Sequence, residues 1–282
     1  MNETELLFTG VLNCRRADLY LDKNLKLDSA QASFVSSALK RRISREPIQY
    51  ILGRAEFMGL EFKLTADVFI PRPETEILVE TVLKLVQSSC LSGRQAGFRV
   101  PACPAGRQSS VLDLGTGSGC IAIALAKYLP NSKVTALDVS KEALIIAKEN
   151  ARLNKVEVKF MRQDLFGSRK SGMGNYDIIV SNPPYILSAQ IDRLQPEIRY
   201  EPRVALDGGK DGLDFYRRII ALSPGYLKKS GFLILEMGLG QRQDIENILE
   251  KSGNFKIKEV VKDYGSIERV IVALKRGERW IS

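Results

Sequence analysis

Histidine is missing from all 282 residues, and that absence bounds the chemistry more tightly than any residue that is present. Without an imidazole there is no Ser-His or Cys-His nucleophile pair and no His-ligated metal, so any catalysis must rest on positioning or on carboxylates. Cysteine is scarce. The four that occur, at positions 14, 90, 103 and 120, show no CxxC spacing, which argues against a structural zinc site and against a disulfide framework. Long apolar runs are lacking too: no uninterrupted stretch approaches the roughly 20 residues that cross a bilayer. The start, Met1-Asn2-Glu3-Thr4-Glu5, is acidic, unlike a secretory leader or an organellar transit peptide. The expectation is a cytoplasmic protein with no metal and no membrane segment.

What is present is ordinary for a globular chain: 44% hydrophobic and 27% charged residues, with length enough for one large α/β domain and a smaller one. A net charge of +9 permits a partner that carries nucleic acid, such as the ribosome. The basic residues are dispersed, however, and read more simply as a solvated surface.

The chain is organised around Asp177-Ile178-Ile179-Val180-Ser181-Asn182-Pro183-Pro184-Tyr185. Its β-branched run without polar alternation suits a central parallel strand covered on both faces. Pro183 and Pro184 then withhold two ladder donors and fix two φ angles, so the strand ends in a stiff corner. Asn182 thereby falls at the carboxyl edge, where open α/β sheets bind ligands. An Asn amide oxygen and a neighbouring carbonyl could accept both hydrogens of a planar NH2 group while Tyr185 offers a ring to rest it on. Such a nitrogen is a poor nucleophile because its lone pair is delocalised, and accepting its hydrogens favours localising and aiming that pair. On the tetrapeptide alone, a Pro-rich turn after a core strand is an equal reading.

In chain order, residues 1–52 read as small helices, with Asp28-Ser29 capping an apolar face that includes Phe34, Val35 and Leu39. Arg41-Arg42 near that helix's end suits its negative dipole end, a solvated end being preferred to a basic recognition helix. Residues 53–69 read as a β-hairpin linking two domains. Ile70-Pro71-Arg72-Pro73-Glu74-Thr75-Glu76 follows, with Thr75 placed to cap the next helix; the stretch is either a helix start or a wall of the cleft. Residues 88–109, aperiodic and rich in Ser, Gly, Arg and Pro, read as a flexible insert.

Val111-Leu112-Asp113-Leu114 reads as a strand, Gly115-Thr116-Gly117-Ser118-Gly119 as the turn after it, and 120–128 as a helix. Alternate glycines let backbone bend sharply and approach a ligand. A second strand, 134–138, carries Asp138 at its tip, about 20 residues past the loop, where a carboxylate meets ribose hydroxyls. Asp138 is also compatible with the start of a helix near Ser140. A helix over 141–154 leads to a third strand, 156–161, followed by Gln163-Asp164-Leu165-Phe166, an acid and an aromatic that could hold the amine and the face of an adenine. The Asn-Pro-Pro-Tyr strand is fourth. Helix 211–222, strand 231–236, helix 241–251 and a closely linked strand pair, 255–261 and 269–274, bring the count to seven strands, with one of the final pair antiparallel. The loop lacks the third glycine of dinucleotide spacing, which counts against an NAD enzyme.

Together these residues resemble the class I S-adenosylmethionine methyltransferases, a resemblance that implies an α/β fold with a seven-stranded, mostly parallel, Rossmann-like sheet. It implies that S-adenosylmethionine is held by Gly115, Thr116, Gly117, Ser118 and Gly119 at its methionine end, by Asp138 at the ribose, and by Asp164 with Leu165 at the adenine. The Asn182-Pro183-Pro184-Tyr185 tip resembles the subset acting on planar NH2 groups, with Asn182 also bordering the cofactor. Within that subset Arg45-Glu46-Pro47-Ile48-Gln49-Tyr50-Ile51-Leu52-Gly53, Phe69 through Glu76, and Glu201-Pro202 through Ala205-Leu206 to Gly208-Gly209 and Asp211-Gly212-Leu213 resemble the HemK/PrmC family, over nearly the whole chain. Members methylate the glutamine of the Gly-Gly-Gln motif in class-1 peptide-chain release factors. The implied layout is a helical release-factor-docking domain over 1–52, the hairpin linker 53–69 and a catalytic domain over 70–282. Leu165 departs from the Trp of many members, and the 88–109 insert is long for the family. Rival readings are a glutamine methyltransferase of a large-subunit ribosomal protein, an adenine-N6 nucleic-acid methyltransferase, and a non-catalytic ribosome-binding protein. Against direct nucleic-acid binding, no basic segment interleaved with aromatics of the kind that grips a flipped base occurs.

Overall fold

The computed structural model describes residues 2–22, 24–91, 108–167 and 175–277. Four helices open the chain. Helix α1, Glu3–Leu12, begins with a capping box from Asn2; α2 spans Asp18–Leu21; α3, Ser29–Ile43, begins with a capping box from Asp28, as expected. Pro47 starts α4, Ile48–Leu52, and Gly53 ends it in the left-handed region at φ 68°, a conformation glycine adopts without a Cβ penalty. Leu7, Ala38, Ile48 and Ile51 form their common core. Arg41 and Arg42 are not merely solvated: Arg41 pairs with Glu46, and Arg42 with Glu3 and Glu197.

Strands β1, Arg54–Phe57, and β2, Leu60–Lys63, form the expected antiparallel hairpin. Its two-residue turn, Met58-Gly59, has both φ values positive, the turn whose twist matches paired strands. Phe57 and Phe62 on its inner face are fully buried in the larger core. Helix α5, Pro73–Leu91, comes next. Proline opens it, at the position where the missing N–H is least needed, so Thr75 lies inside the first turn and does not cap it. The helix also runs to Leu91, past the expected start of the insert at 88; residues 92–107 of that insert lie outside the described residues.

The remaining elements are β3, Ser110–Leu114; α6, Cys120–Tyr128; β4, Lys133–Asp138; α7, Lys141–Leu153; β5, Lys159–Arg162; β6, Tyr176–Ser181; α8, Asp214–Tyr226; β7, Leu227–Glu236; α9, Arg242–Lys251; β8, Phe255–Lys262; and β9, Glu268–Lys275. The strands join in one seven-stranded sheet of order β5-β4-β3-β6-β7-β9-β8. All neighbours are parallel except β9, which is antiparallel to both β7 and β8. Alternation along the strands divides the core. Val111, Val134, Ala136, Ile178, Val180, Phe232 and Ile234 pack with α5 and α6, whereas Leu112, Leu137, Ile179, Leu233 and Leu235 pack with α8 and α9. A sheet covered on both faces explains why Ile178-Ile179-Val180 carries no polar alternation. The order reverses between β3 and β6, and at such a switch point the carboxyl ends of the strands leave a crevice for ligands. Among the described residues no helix is long and apolar enough to cross a membrane, and no group of His, Cys, Asp and Glu is arranged to hold a metal ion.

Candidate active site

A cavity of about 390 Å³ opens at the carboxyl ends of β3, β4, β5 and β6, and the glycine loop, Asp138, Asp164, Leu165 and the Asn182 to Tyr185 tip all line it. On one side the loop after β3 is fastened by its own backbone: Gly115 and Thr116 N–H both donate to the Leu137 carbonyl at 2.9 Å. Gly115 and Gly117 have φ of 73° and 54°, and a Cβ at either would meet nothing within 4 Å. Open space therefore stands over these two glycines. Gly119 differs: it does not line the cavity, and a Cβ there would stand 2.9 Å from Ile123 and 3.1 Å from Ala147. Its smallness lets α6 lie against α7, so the expected ligand role for Gly119 becomes a packing role. Thr116 and Ser118 border the cavity, but both are buried. The Thr116 hydroxyl donates inward to Asp113 at 2.6 Å, and the Ser118 carbonyl accepts from Asn150 at 2.9 Å.

Asp138 accepts from Gly117 N–H at 2.8 Å through one oxygen and from Ser140 N–H at 2.9 Å through the other. Val139 N–H is a third backbone donor to Asp138, which leaves a carboxylate lone pair for a ligand hydroxyl. Burial raises its pKa above the ordinary carboxylate value, and these backbone donors oppose the rise. Ser140, not Asp138, caps α7, by accepting from Ala143 N–H. At the third strand tip Asp164 accepts from Phe166 N–H at 2.8 Å, and the Leu165 carbonyl accepts from Arg218. Phe166 packs edge-on against Phe215 at 5.1 Å, and both rings line the cavity together with Val139. They supply apolar surface where Leu165 alone would be thin.

On the other side, Asn182 donates from Nδ2 to the Thr75 hydroxyl at 3.0 Å, and its Oδ1 bonds no described residue. The tip it begins is seated on glycines. A Cβ at Gly208 would stand 2.8 Å from Tyr185 Cα and 2.9 Å from the Pro184 carbonyl, one at Gly212 2.5 Å from the Tyr185 carbonyl, and one at Gly238 2.9 Å from the Tyr185 ring. Gln241 ties the corner down by donating to the Tyr185 and Gly212 carbonyls at 3.1 and 3.2 Å. Burial pushes the Tyr185 hydroxyl up to about 12, with the nearby Glu236 carboxylate adding to the rise, so at neutral pH the phenol is un-ionised. The stretch from Asp67 to Thr75 closes the cavity, with Asp67, Val68, Phe69, Pro71, Arg72 and Thr75 among its lining. Buried Glu201 holds this wall by accepting from Ile70 N–H at 3.1 Å and pairing with Arg72, whose guanidinium lies 4.7 Å from the centre of the Phe69 ring.

Two buried carboxyls lie beneath the cavity. Asp113 in β3 and Glu236 at the end of β7 are each pushed up to about 7 by burial, and each has one oxygen without a hydrogen-bond partner among the described residues. An acid within an apolar strand was the available sequence signal for both.

Known proteins are similar to this chain in sequence over almost its entire length. A family model described as the PrmC N-terminal domain matches residues 1–53, and one described as the methyltransferase small domain matches residues 99–197. The release factor glutamine methyltransferase of Geobacter sulfurreducens is 41% identical over 270 residues, covering 95% of this chain and 87% of its own. That of Thermodesulfovibrio yellowstonii is 40% identical over 277 residues, covering 98% and 92%. Among solved structures, a methyltransferase from Pyrococcus furiosus matches 86% of this chain and 100% of its own with a TM-score of 0.52 at 19% identity, a likeness of fold alone.

Proposed function

The chain belongs to the release factor glutamine methyltransferase family, and from that premise we propose that it methylates the side-chain amide nitrogen of the glutamine in the Gly-Gly-Gln motif of class-1 peptide-chain release factors. The observation that carries the reading is the Asn182 amide, whose nitrogen is taken up by Thr75 at 3.0 Å and whose oxygen remains unengaged in the cavity lining.

The methyl donor is S-adenosylmethionine, and the cavity fits it. Space over Gly115 and Gly117 is open to 4 Å, Asp138 has a lone pair to spare, and the buried Gln163 side-chain oxygen, also at the cavity wall, has no hydrogen-bond partner among the described residues. When bound, the donor supplies an electrophilic methyl carbon on a sulfonium. Gly115 and Gly117 would hold its methionine end, Asp138 its ribose, and Asp164 with Leu165, Phe166 and Val139 its adenine.

The protein's own part in the chemistry is positional. Asn182 Oδ1 and the Pro183 carbonyl accept the hydrogens of the substrate NH2 group, and Tyr185 supports its plane, so the nitrogen lone pair faces the donor half of the cavity. No strong base is required, because an amide nitrogen that has become cationic gives up its proton readily. That agrees with a chain without histidine. Residues 1–52 serve to dock the protein partner, 53–69 link them to the catalytic unit, and 70–282 form that unit. What supports this division is the bridge from α3 to the cavity wall: Arg42 and Arg45 pair with Glu197 at 3.1 and 3.3 Å, and the Tyr200 hydroxyl donates to the Ser44 carbonyl at 2.7 Å. Translation termination is cytoplasmic work.

The test is transfer of labelled methyl to a purified class-1 release factor and to the same factor with the motif glutamine replaced by alanine. Label should enter the first and not the second. Equal labelling of both, or labelling of a ribosomal protein or DNA in place of either, overturns the assignment.

A further inference from the structure

Glu236 has no place in the mechanism so far, although it lies beside the residue that matters most. Strands β6 and β7 are paired with Ser181 opposite Leu235, so Asn182 and Glu236 follow each other at the carboxyl edge of adjacent strands. The Thr75 hydroxyl, buried in the first turn of α5, accepts from the Asn182 amide nitrogen at 3.0 Å, and both Thr75 and Asn182 are side-chain hydrogen-bond partners of the Glu236 carboxyl. We infer that Glu236 is a positioning residue for methyl transfer: directly and through Thr75, its carboxylate fixes which end of the Asn182 amide faces the substrate. This rests on the acceptor role given to Asn182 above.

The argument follows the protons. A hydroxyl has one proton, and an ionised carboxylate can only accept. With Glu236 ionised, Thr75 donates to it, and Thr75 oxygen is left to accept from Asn182. The amide nitrogen is then held inward and Oδ1 is the end offered to the substrate NH2. A protonated Glu236 can donate to Thr75 instead, which frees the Thr75 proton for the Asn182 oxygen. The amide would then turn its own NH2 towards the substrate nitrogen, where a donor is useless. Orientation of the amide thus depends on a charge it does not carry. The groups facing that carboxyl are Thr75 and Glu74 from α5, Cys120 from α6, Asn182 and Tyr185 from the tip, Tyr216 from α8, and Arg269 from β9, which is itself paired with Asp263 at 2.8 Å. Burial raises Glu236 to about 7; Thr75, Arg269 and Asn182 oppose the rise and Glu74 adds to it. Its charge therefore changes near neutral pH, and turnover should increase as pH rises through that range.

Three variants test this, each checked for folding by its thermal midpoint and for cofactor affinity by calorimetry. Glu236→Leu, which offers Thr75 and Asn182 no acceptor, and Thr75→Val should each lower kcat at pH 8 by roughly ten-fold or more, with cofactor affinity within about two-fold of the parent and the two combined little worse than either, whereas Glu236→Gln keeps an acceptor and should lose only the pH dependence. The rise of kcat through neutral pH should vanish in both Glu236 variants and shrink in Thr75→Val. A second readout needs no turnover: the Asn182 side-chain NH2 signal in a 15N–1H spectrum, identified by its loss in Asn182→Ala, should titrate near pH 7 in the parent and stay fixed in Glu236→Gln. The inference is overturned if Glu236→Leu and Thr75→Val both keep parental kcat and pH profile, or if the Asn182 signal does not titrate in the parent. An active Asn182→Ala would sink the acceptor role and this inference together, whereas an inactive Asn182→Ala beside a fully active Glu236→Leu sinks the inference alone.

Discussion

The two halves of the cavity are built on different principles. The methionine and ribose end of the cofactor half is local: β3, its glycine loop, α6 and the tip of β4 make a continuous piece of chain, and its bonds run from backbone N–H to the Leu137 carbonyl and to Asp138. The acceptor half is assembled from afar. Asn182 is held by Thr75, 107 residues away, and Tyr185 by Gln241, 56 residues away, on a seat of Gly208, Gly212 and Gly238. A half held by its own backbone can be altered one contact at a time, whereas a half held by tertiary contacts fails when any of several distant elements shifts.

The largest expected contrast is between the two polar side chains. Replacing Asn182 by alanine removes an acceptor aimed at the reacting nitrogen, and turnover should fall roughly 10²–10³-fold with cofactor affinity within a few fold. Replacing Asp138 by alanine should do the reverse. Loss of charge-assisted hydrogen bonds weakens cofactor binding by about 10–100-fold, while kcat at saturating cofactor stays within a few fold. Calorimetry with the cofactor beside single-turnover methyl transfer reads both. If Asp138→Ala keeps its cofactor and loses turnover, the division into halves is wrong.

Glycine substitutions sharpen the same contrast at smaller cost. Gly208→Ala puts a Cβ 2.8 Å from Tyr185 Cα and 2.9 Å from the Pro184 carbonyl, backbone atoms that cannot swing aside. The corner must move, so stability should fall by about 1–3 kcal/mol and turnover should fall with it. Gly117→Ala meets nothing within 4 Å and strains only a φ of 54°, a cost of about 1 kcal/mol. That variant should melt close to the parent and yet bind cofactor poorly, because its methyl group stands where a ligand would. Equal melting temperatures for the two variants would show that the acceptor corner is not seated as tightly as its contacts imply.

The same division explains what was legible beforehand. Strand periodicity, the glycine loop, Asp138 and the stiff corner after Ser181 are written in neighbouring residues, and the sheet with its one antiparallel strand followed from them. Thr75 was read as a cap because a hydroxyl before an apolar helix usually is one, and only the fold shows it facing Asn182. The glycine loop was taken whole as ligand-facing, yet Gly119 serves the contact between α6 and α7, which depends on Ala147 twenty-eight residues further on. Phe166 was noticed at its strand tip, but Val139 and Phe215 reach the cavity through strand order and helix placement. Helical spacing was lost at residue 88 because the side chains turned small and polar there, although the backbone keeps the helix to Leu91.

Asp113 and Glu236 carry the comparison to its smallest expected effect, for each half of the cavity rests on one buried carboxyl raised to about 7. They differ in what they hold: Glu236 reaches a reacting side chain directly and through Thr75, whereas Asp113 accepts from the Thr116 hydroxyl and the Ala122 backbone N–H, beside a loop whose ligand-facing groups are backbone. A carboxyl whose folded pKa lies above its ordinary value of 3.8 binds its proton more tightly in the folded chain. Its cost to stability is therefore absent below about pH 4, grows as pH rises, and is complete above about pH 7. Asp113→Asn retains an acceptor for Thr116 and cannot ionise, so its stability relative to the parent should rise across that window by on the order of 1–2 kcal/mol, discounted from the full shift for relaxation around a buried charge. Urea unfolding of variant and parent at matched pH isolates the effect, since every other titrating group cancels in the difference. The pH at which turnover rises should stay where it is in Asp113→Asn and disappear in Glu236→Gln; a displaced turnover profile in Asp113→Asn would mean that the cofactor loop, and not the Asn182 amide, sets the pH dependence of the reaction.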